Sequence, residues 1–121
     1  MLQHKHIVIR GEVSNPPVCI NKTETWLRKL IEALGMKIMI GPFGSYCNLK
    51  GNEGLTIAAC IETSHVVLHS WDRENVPFIQ LDVYTCSELD PKKVIEYFQE
   101  FEPTHIDYIV LDRGGKYIKV L

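Results

Sequence analysis

Residues 61–86 bring together side chains that commonly carry acid–base and nucleophilic chemistry. The segment reads IETSHVVLHSWDRENVPFIQLDVYTC and contains Ser64, His65, His69, Asp82 and Cys86. A hydroxyl or thiol acts as a nucleophile or an acid when a proton carrier such as imidazole lies beside it. A serine hydrolase of the nucleophile-elbow type is not indicated, because the chain has no G-x-S-x-G motif.

Hairpin geometry predicts which of these side chains meet. If residues 72–77 close a symmetric antiparallel hairpin, position 69 lies opposite about position 80. The same register places Cys86 beside Ser64. Each residue type also has an ordinary structural role, as a turn hydroxyl, a hydrogen-bonded imidazole or a buried thiol. The residues alone therefore leave a catalytic and a structural interpretation open.

The hydrophobic pattern alternates between strand and helix periodicities. Strands are predicted over 5–12, 36–40, 55–62, 64–71, 78–85, 105–112 and 116–120, and helices over 22–34 and 91–101. Strands outnumber helices, and the helices come singly between sheet segments. This order predicts an α+β two-layer sandwich, in which one mostly antiparallel sheet is covered by two helices. The other sheet face then needs water, a ligand or a partner, and a dimer is expected.

Capping residues mark the predicted helix ends. Asn21 is expected to cap the first helix, with Glu24 completing a capping box and Gly35 ending the helix. Asp90 is expected to cap the second helix, with Pro91 in its first turn.

Several other features are interpreted as structural. Trp26 lies on the apolar face of the first helix and is expected in the core. Gly11 and the Gly-Pro-Phe-Gly run at 41–44 are interpreted as turns. The run Arg-Gly-Gly-Lys at 113–116 is interpreted as a charged turn rather than a phosphate site, because no helix follows it.

Length and composition set wide limits on function. The 121 residues suffice for a single domain, 1–121, and a formal net charge of -2 gives no electrostatic footprint for nucleic acid. No apolar run approaches the ~18 residues of a membrane helix, and no signal peptide is evident, so a cytoplasmic protein is predicted. The cysteines Cys19, Cys47, Cys60 and Cys86 match no zinc spacing. His4 and His6 share a strand face, but two ligands do not make a site, and no metal is expected.

The segment at 61–86 resembles the small prokaryotic and viral S-adenosylmethionine decarboxylases. Members carry a Ser-His pair, a second His four residues later followed by a small residue and often Trp, and a strand ending in Asp-Val-aromatic-Thr-Cys. The matching elements here are Ser64-His65, His69-Ser70-Trp71 and Asp82-Val83-Tyr84-Thr85-Cys86, with Gly54 and Thr56 upstream. The similarity spans most of the chain and is strongest over 54–86.

The resemblance implies a proenzyme that cuts itself to make a pyruvoyl cofactor. Ser64 would attack the carbonyl of Thr63, splitting the chain into 1–63 and 64–121. The old serine becomes the pyruvoyl group that starts the second fragment. A pyruvoyl carbonyl condenses with the substrate amine and accepts the electrons that decarboxylation releases.

The resemblance also assigns roles to other residues. His69 matches the histidine that assists cleavage, Thr56 the hydroxyl residue that supports it, and Cys86 the later proton donor. The implied product serves polyamine (spermidine) synthesis. The implied assembly is a homodimer or a higher oligomer with its sites near the subunit interface.

Departures from the family pattern concern the cleavage site and the substrate. Thr63 stands where Glu is usual, and Lys50 stands where an aromatic ring usually stacks on adenine. The candidate substrate-binding residues are Tyr46, Trp71, Asp72 and Glu74. Three alternatives therefore stay open: a pyruvoyl-dependent decarboxylase of arginine or ornithine, an S-adenosylmethionine lyase, and a homologue that neither cuts itself nor catalyses a reaction.

Overall fold

A computed structural model describes residues 3–121 as a seven-stranded sheet with two α-helices. The elements in chain order are β1 (Lys5–Val13), α1 (Ile20–Ala33), β2 (Ile38–Cys47), β3 (Gly54–Ile61), β4 (Ser64–Trp71), β5 (Phe78–Thr85), α2 (Pro91–Phe98), a 3₁₀ turn (Gln99–Phe101), β6 (Pro103–Asp112) and β7 (Lys119–Val120). The order of strands across the sheet is β2-β3-β4-β5-β1-β6-β7, and every neighbouring pair is antiparallel. The predicted α+β two-layer architecture is confirmed.

Both helices cover the same face of the sheet. The buried side chains of α1 and α2 belong to one hydrophobic cluster with alternate residues of the central strands. On β1 the inward residues are Ile7 and Ile9, which are almost fully buried. The opposite face, which carries His6, Val8 and Arg10 on β1, has no helix over it and is called the open face below. No helix within residues 3–121 is both long and apolar enough to cross a membrane.

The first helix starts earlier than the capping pattern predicts. Its N-cap is Cys19, which makes no side-chain cap bond, and Asn21 and Glu24 both lie inside the helix. The predicted capping box is therefore wrong. The apolar stripe of α1 governs its start, because docking on the sheet outweighs the loss of a surface cap. The predicted end is confirmed, since Gly35 follows the helix with a φ of +73°.

The second helix follows its sequence signals. The Asp90 carboxylate accepts a hydrogen bond from the Lys92 backbone N–H at 3.0 Å, and Pro91 occupies the first turn. Trp26 is 5% exposed, and its indole N–H donates to the Tyr97 carbonyl at 3.0 Å. This bond joins the two helices, so the core interpretation of Trp26 is confirmed.

The edge strand β2 contradicts the predicted break at 41–44. One strand runs from Ile38 to Cys47 and passes through a cis Gly41–Pro42 bond, with register shifts on both sides of Ile40. Proline is tolerated in a sheet at edges and bulges, where its missing N–H leaves no ladder partner unsatisfied. The breakers therefore produce a bulge within the strand and not its end.

Gly11 also lies within a strand and not in a turn. A Cβ atom built on Gly11 would lie 2.5 Å from Cε1 of Phe98, so the glycine makes room for the aromatic ring of α2. Near the C-terminus, the predicted charged turn at 113–116 joins β6 to β7. There the Gly114 backbone N–H donates to the Asp112 carboxylate at 2.9 Å.

Candidate active site

A two-residue turn of unusual conformation joins β3 to β4. Ile61 pairs with Ser64, so Glu62 and Thr63 form the whole connection. Thr63 has a φ of +50°, in the left-handed region. A β-branched residue there is strained, at a cost of about 1–2 kcal/mol, because its Cβ crowds the backbone. The strain lies directly on the residue whose carbonyl forms the Thr63–Ser64 peptide bond.

Three donors converge on the backbone carbonyl of Glu62. The hydroxyls of Thr63 and Ser64 donate to it at 2.9 and 2.8 Å, and the Cys86 thiol donates at 3.0 Å. Ser64 and Cys86 are 9% and 8% exposed. The hairpin register thus places Cys86 beside Ser64, as the sequence predicts. We call Glu62, Thr63, Ser64 and Cys86 the cleavage turn.

A second pair of site residues lies on the open face. Thr56 of β3 is opposite His69 of β4, and the Thr56 hydroxyl lies 2.9 Å from His69 Nδ1. His69 is in turn opposite Gln80, which confirms the predicted hairpin register. The Trp71 ring follows on the same face, with its centroid 6.1 Å from that of His69. A hydroxyl bonded to an imidazole forms a proton-transfer pair.

The cleavage turn and the Thr56–His69 pair do not meet within one chain. Ser64 and His69 are five residues apart on β4, which is ~16 Å at about 3.3 Å per residue. Because an odd number of steps separates them, their side chains point to opposite faces of the sheet. Ser64 lies on the side of Ile61 and the core, whereas His69 lies on the open face. Within one copy of the chain, the cleavage turn and the Thr56–His69 pair are therefore two separate groups of residues.

The candidate substrate-binding residues lie near the His69 end of the strands. The Tyr46 hydroxyl donates to the Asp72 carboxylate at 2.7 Å. The Trp71 ring stacks on Phe78 with centroids 4.7 Å apart. Glu74 is exposed in the loop after β4 and has no hydrogen bond or ion pair within the described residues. Three of the four predicted residues thus gather at one end of the sheet, and Glu74 lies apart.

The cavity beside the Thr56–His69 pair is too small for a nucleoside-sized substrate. The cavity beside Thr56, His69 and Trp71 has a volume of about 100 Å³, below the roughly 300 Å³ that a ligand pocket needs. A shallow depression of about 330 Å³ adjoins it along Val67, His69 and Asp82. It is open toward solvent, so a second surface facing it is needed to enclose a ligand.

Sequence reasoning missed two neighbours of Trp71. The Asn52 side-chain carbonyl accepts the indole N–H of Trp71 at 2.8 Å, and Phe78 stacks on its ring. Asn52 lies in the loop between β2 and β3, and no local pattern links that loop to β4. Phe78 follows the loop at 72–77, and its pairing with Trp71 follows from the hairpin register. That register is the signal that identifies Phe78.

The Tyr46 phenol has a perturbed proton affinity. Its pKa is raised above 10.0, first because the phenol donates a hydrogen bond to Asp72 and then because of burial and the charge of Asp72. The neutral phenol is thereby stabilised in the folded state. This contribution to stability is present below pH 10 and is lost as the pH rises through the raised pKa.

Replacing Asp72 with asparagine is expected to lower the pKa of Tyr46 toward 10.0. The substitution removes the negative charge that opposes ionisation of the phenol. The measurement is an ultraviolet titration of tyrosinate, taken as the difference between wild type and Asp72→Asn. The Tyr46→Phe variant is the control, because it removes the shifted titration and leaves the other tyrosines. If the Asp72→Asn curve coincides with that of wild type, the hydrogen bond does not form in solution.

Comparison with known proteins gives one consistent family. The family model described as S-adenosylmethionine decarboxylase matches residues 18–114. A solved structure with a similar fold is the adenosylmethionine decarboxylase from Aquifex aeolicus, with a TM-score of 0.69 and 19% identity over 96% of this chain and 94% of that one. That likeness shows the shared fold, a two-layer α+β sandwich.

Two curated relatives match over a shorter stretch. The S-adenosylmethionine decarboxylase proenzyme of Clostridium botulinum is 33% identical over 75 residues, covering 61% of this chain. The proenzyme of Pyrobaculum arsenaticum is 35% identical over 78 residues, covering 63% of this chain. The matches span 60% of the length of both relatives. Since the family model matches most of the sequence, the chain belongs to the S-adenosylmethionine decarboxylase family.

Proposed function

We propose that the chain is the proenzyme of a pyruvoyl-dependent S-adenosylmethionine decarboxylase for polyamine synthesis, which cuts itself between Thr63 and Ser64. The observation that carries this proposal is the cleavage turn. A strained threonine precedes a buried serine, and a buried thiol lies at the same carbonyl. Family membership supplies the reaction class, since the relatives are named as proenzymes.

Self-cleavage begins with the serine hydroxyl. Ser64 Oγ attacks the carbonyl carbon of Thr63, forming an ester as the amide C–N bond breaks and leaving an amine on Ser64. Elimination then releases the Thr63 carboxylate from the Cβ of Ser64. Water adds to the resulting dehydroalanine and ammonia leaves, so one water is consumed and one ammonia is formed. The new terminal group of the 64–121 fragment is a pyruvoyl.

Strain in the turn favours the first step. The ester and the later free carboxylate remove the constraint that holds Thr63 at a φ of +50°. The residue at this position is β-branched, which raises the strain and also crowds the attack. Because the turn has only two residues, the serine hydroxyl and its target carbonyl stay adjacent while the strands hold both ends.

The residues fit a pyruvoyl group at position 64, because a buried thiol stands beside the serine that forms it. When present, the group binds the substrate amine and accepts the electrons of the broken carboxyl bond. Cys86 then lies in place to deliver a proton to the substrate carbon. A thiol has a reference pKa of about 8.5, which suits an acid that acts near neutral pH.

A second copy of the chain is proposed to complete the site. Ser64 and His69 point to opposite faces of one chain, and the depression beside His69 lacks an opposing wall. The open face also exposes apolar side chains, which favours its burial against another copy. These side chains are Val8, Ile40, Phe43 and Ile109. A homodimer packed through the open faces, with the strands of the two copies running in opposite directions, places His69 of one copy over the β3–β4 end of the other, where the cleavage turn lies.

Intact mass under denaturing conditions tests cleavage directly. We expect two fragments, each roughly half of 13.9 kDa, with the 64–121 fragment blocked at its N-terminus. Release of labelled carbon dioxide from carboxyl-labelled S-adenosylmethionine then tests the substrate, with carboxyl-labelled arginine and ornithine assayed in parallel. A single uncut species after long incubation contradicts the proposed cofactor. Cleavage with turnover of arginine alone contradicts the proposed substrate.

A further inference from the structure

We propose that His6, His65 and Asp82 form a binding site for a transition-metal ion of the Zn²⁺ class on the open face. The ligand atoms of these three residues all lie within 4.8 Å of one another. Two imidazoles and one carboxylate suit Zn²⁺ and related ions, and water fills the remaining positions. The inference does not depend on the proposed decarboxylation.

The three ligands come from three adjacent central strands. In the ladders, His6 of β1 and His65 of β4 both pair with Tyr84 of β5, and Asp82 lies two residues before Tyr84 on the same face. The carboxylate therefore projects between the two imidazoles. Ligands on paired strands are held more rigidly than ligands on loops, so the site needs little reorganisation.

The donor atoms already converge on one point. His6 Nε2 hydrogen-bonds to Asp82 Oδ1, and His65 Nε2 lies 3.3 Å from the same oxygen. An ion placed between these three atoms takes the place of the proton that joins His6 Nε2 to Asp82 Oδ1. The carboxylate keeps its second oxygen free and brings the negative charge that a divalent cation needs.

In a single chain, an ion can reach the cluster from the open face. The His6 side chain is 12% exposed and forms the floor, whereas those of His65 and Asp82 are each 41% exposed. The Tyr84 ring lies 5.5 Å from both imidazoles and fixes their separation. Val8 and Val67 pair with Asp82 on its two sides, so the carboxylate has apolar neighbours that strengthen its attraction for a cation.

Arg113 controls the tautomer of His6. Its guanidinium lies 3.2 Å from His6 Nδ1, and a guanidinium only donates, so Nδ1 accepts and the ring proton sits on Nε2. Ion binding needs the Nε2 lone pair and therefore moves the proton to Nδ1, which displaces Arg113. Arg113 thus opposes the ion both by its hydrogen bond and by its charge.

Zn²⁺ titrated into the untagged full chain against a chromophoric chelator tests the site. We expect one ion per chain and a loss of affinity of at least about tenfold in His65→Ala and in Asp82→Asn. Arg113→Gln is expected to tighten binding several-fold, since it frees Nδ1 for the displaced proton. A thermal melt without metal confirms that each variant is folded.

His105→Ala is the matched control, because His105 is an exposed histidine of β6 away from the cluster. Its affinity is expected to equal that of wild type. The proposal is overturned if Zn²⁺ does not bind saturably. It is also overturned if binding persists unchanged in both His65→Ala and Asp82→Asn, because the ion then sits elsewhere, for example on exposed thiols. Neither result depends on whether the chain cuts itself.

Discussion

Replacing Ser64 with alanine will leave the chain as a single species of 13.9 kDa, with no fragments at any incubation time. The substitution removes the only nucleophile that the proposed acyl shift uses, so cleavage falls from complete to undetectable. Folding is expected to survive, because the lost hydrogen bond to the Glu62 carbonyl costs only about 1 kcal/mol and two donors remain on that oxygen. Denaturing mass spectrometry reads the cleavage, and a thermal melt reads the fold.

Ser70→Ala provides the matched control on the same strand. The Ser70 hydroxyl is buried and has no hydrogen-bond partner among the described residues. Its removal relieves an unsatisfied polar group, so stability is expected to hold or rise slightly. Cleavage in Ser70→Ala should match that of wild type. Fragments from a folded Ser64→Ala chain, cut at the same bond, contradict the serine mechanism.

Mixing two inactive variants is expected to restore cleavage in one of them. His69→Ala and Ser64→Ala are each expected to remain uncut as homodimers. In a mixed dimer, the cleavage turn of the His69→Ala chain meets the intact His69 of its partner. Only the His69→Ala chain should then be cut, up to about half of its copies, the share that random pairing places in mixed dimers. Cleavage is expected to need His69 of the partner because Ser64 and His69 of one chain lie on opposite faces of β4.

The measurement is intact mass after co-expression, since the two variants differ in mass. A His105→Ala chain co-expressed with Ser64→Ala serves as the control and should be cut with or without its partner. If the His69→Ala chain stays uncut in verified mixed dimers, His69 acts within its own chain or not at all. The shared-site proposal then fails, while the role of Ser64 remains to be judged by its own variant.

The β4–β5 hairpin could be predicted almost completely from the sequence. Apolar and polar residues alternate along β5, β4 is a short run rich in β-branched residues, and the charged loop between them fixes the register. The pairing of His69 with Gln80 and the approach of Cys86 to Ser64 both follow from that register. Local patterns suffice here because the partners are neighbours in the chain.

The edge strand β2 could not be predicted from local pattern. The glycines and the proline at 41–44 look like a break, and only their place at the sheet edge allows the strand to continue. The start of α1 at Ile20 is not predicted for a similar reason, because sheet packing outweighs the cap at Asn21. In both places tertiary contacts override a local preference.

The cluster of His6, His65 and Asp82 could not be predicted, because it depends on pairing between strands that are distant in the sequence. β1 pairs with β5 across most of the chain length, and only that pairing brings His6 to Asp82 and His65. The opposite orientation of Ser64 and His69 was implicit in their odd spacing on one strand. Its consequence depends on the placement of both helices on one face of the sheet, which no local pattern specifies.

The strand order has a consequence for what becomes of the two pieces after a cut at Thr63. The first piece carries β1, β2 and β3, and the second carries the other four strands. Yet β1 lies between β5 and β6, so one strand of the first piece is inserted between two strands of the second. Separating the two fragments would require opening three ladders, those of β3 with β4, β1 with β5 and β1 with β6. The two fragments should therefore stay associated after cleavage. They should elute together from a gel filtration column in native buffer, at the volume of the uncut chain.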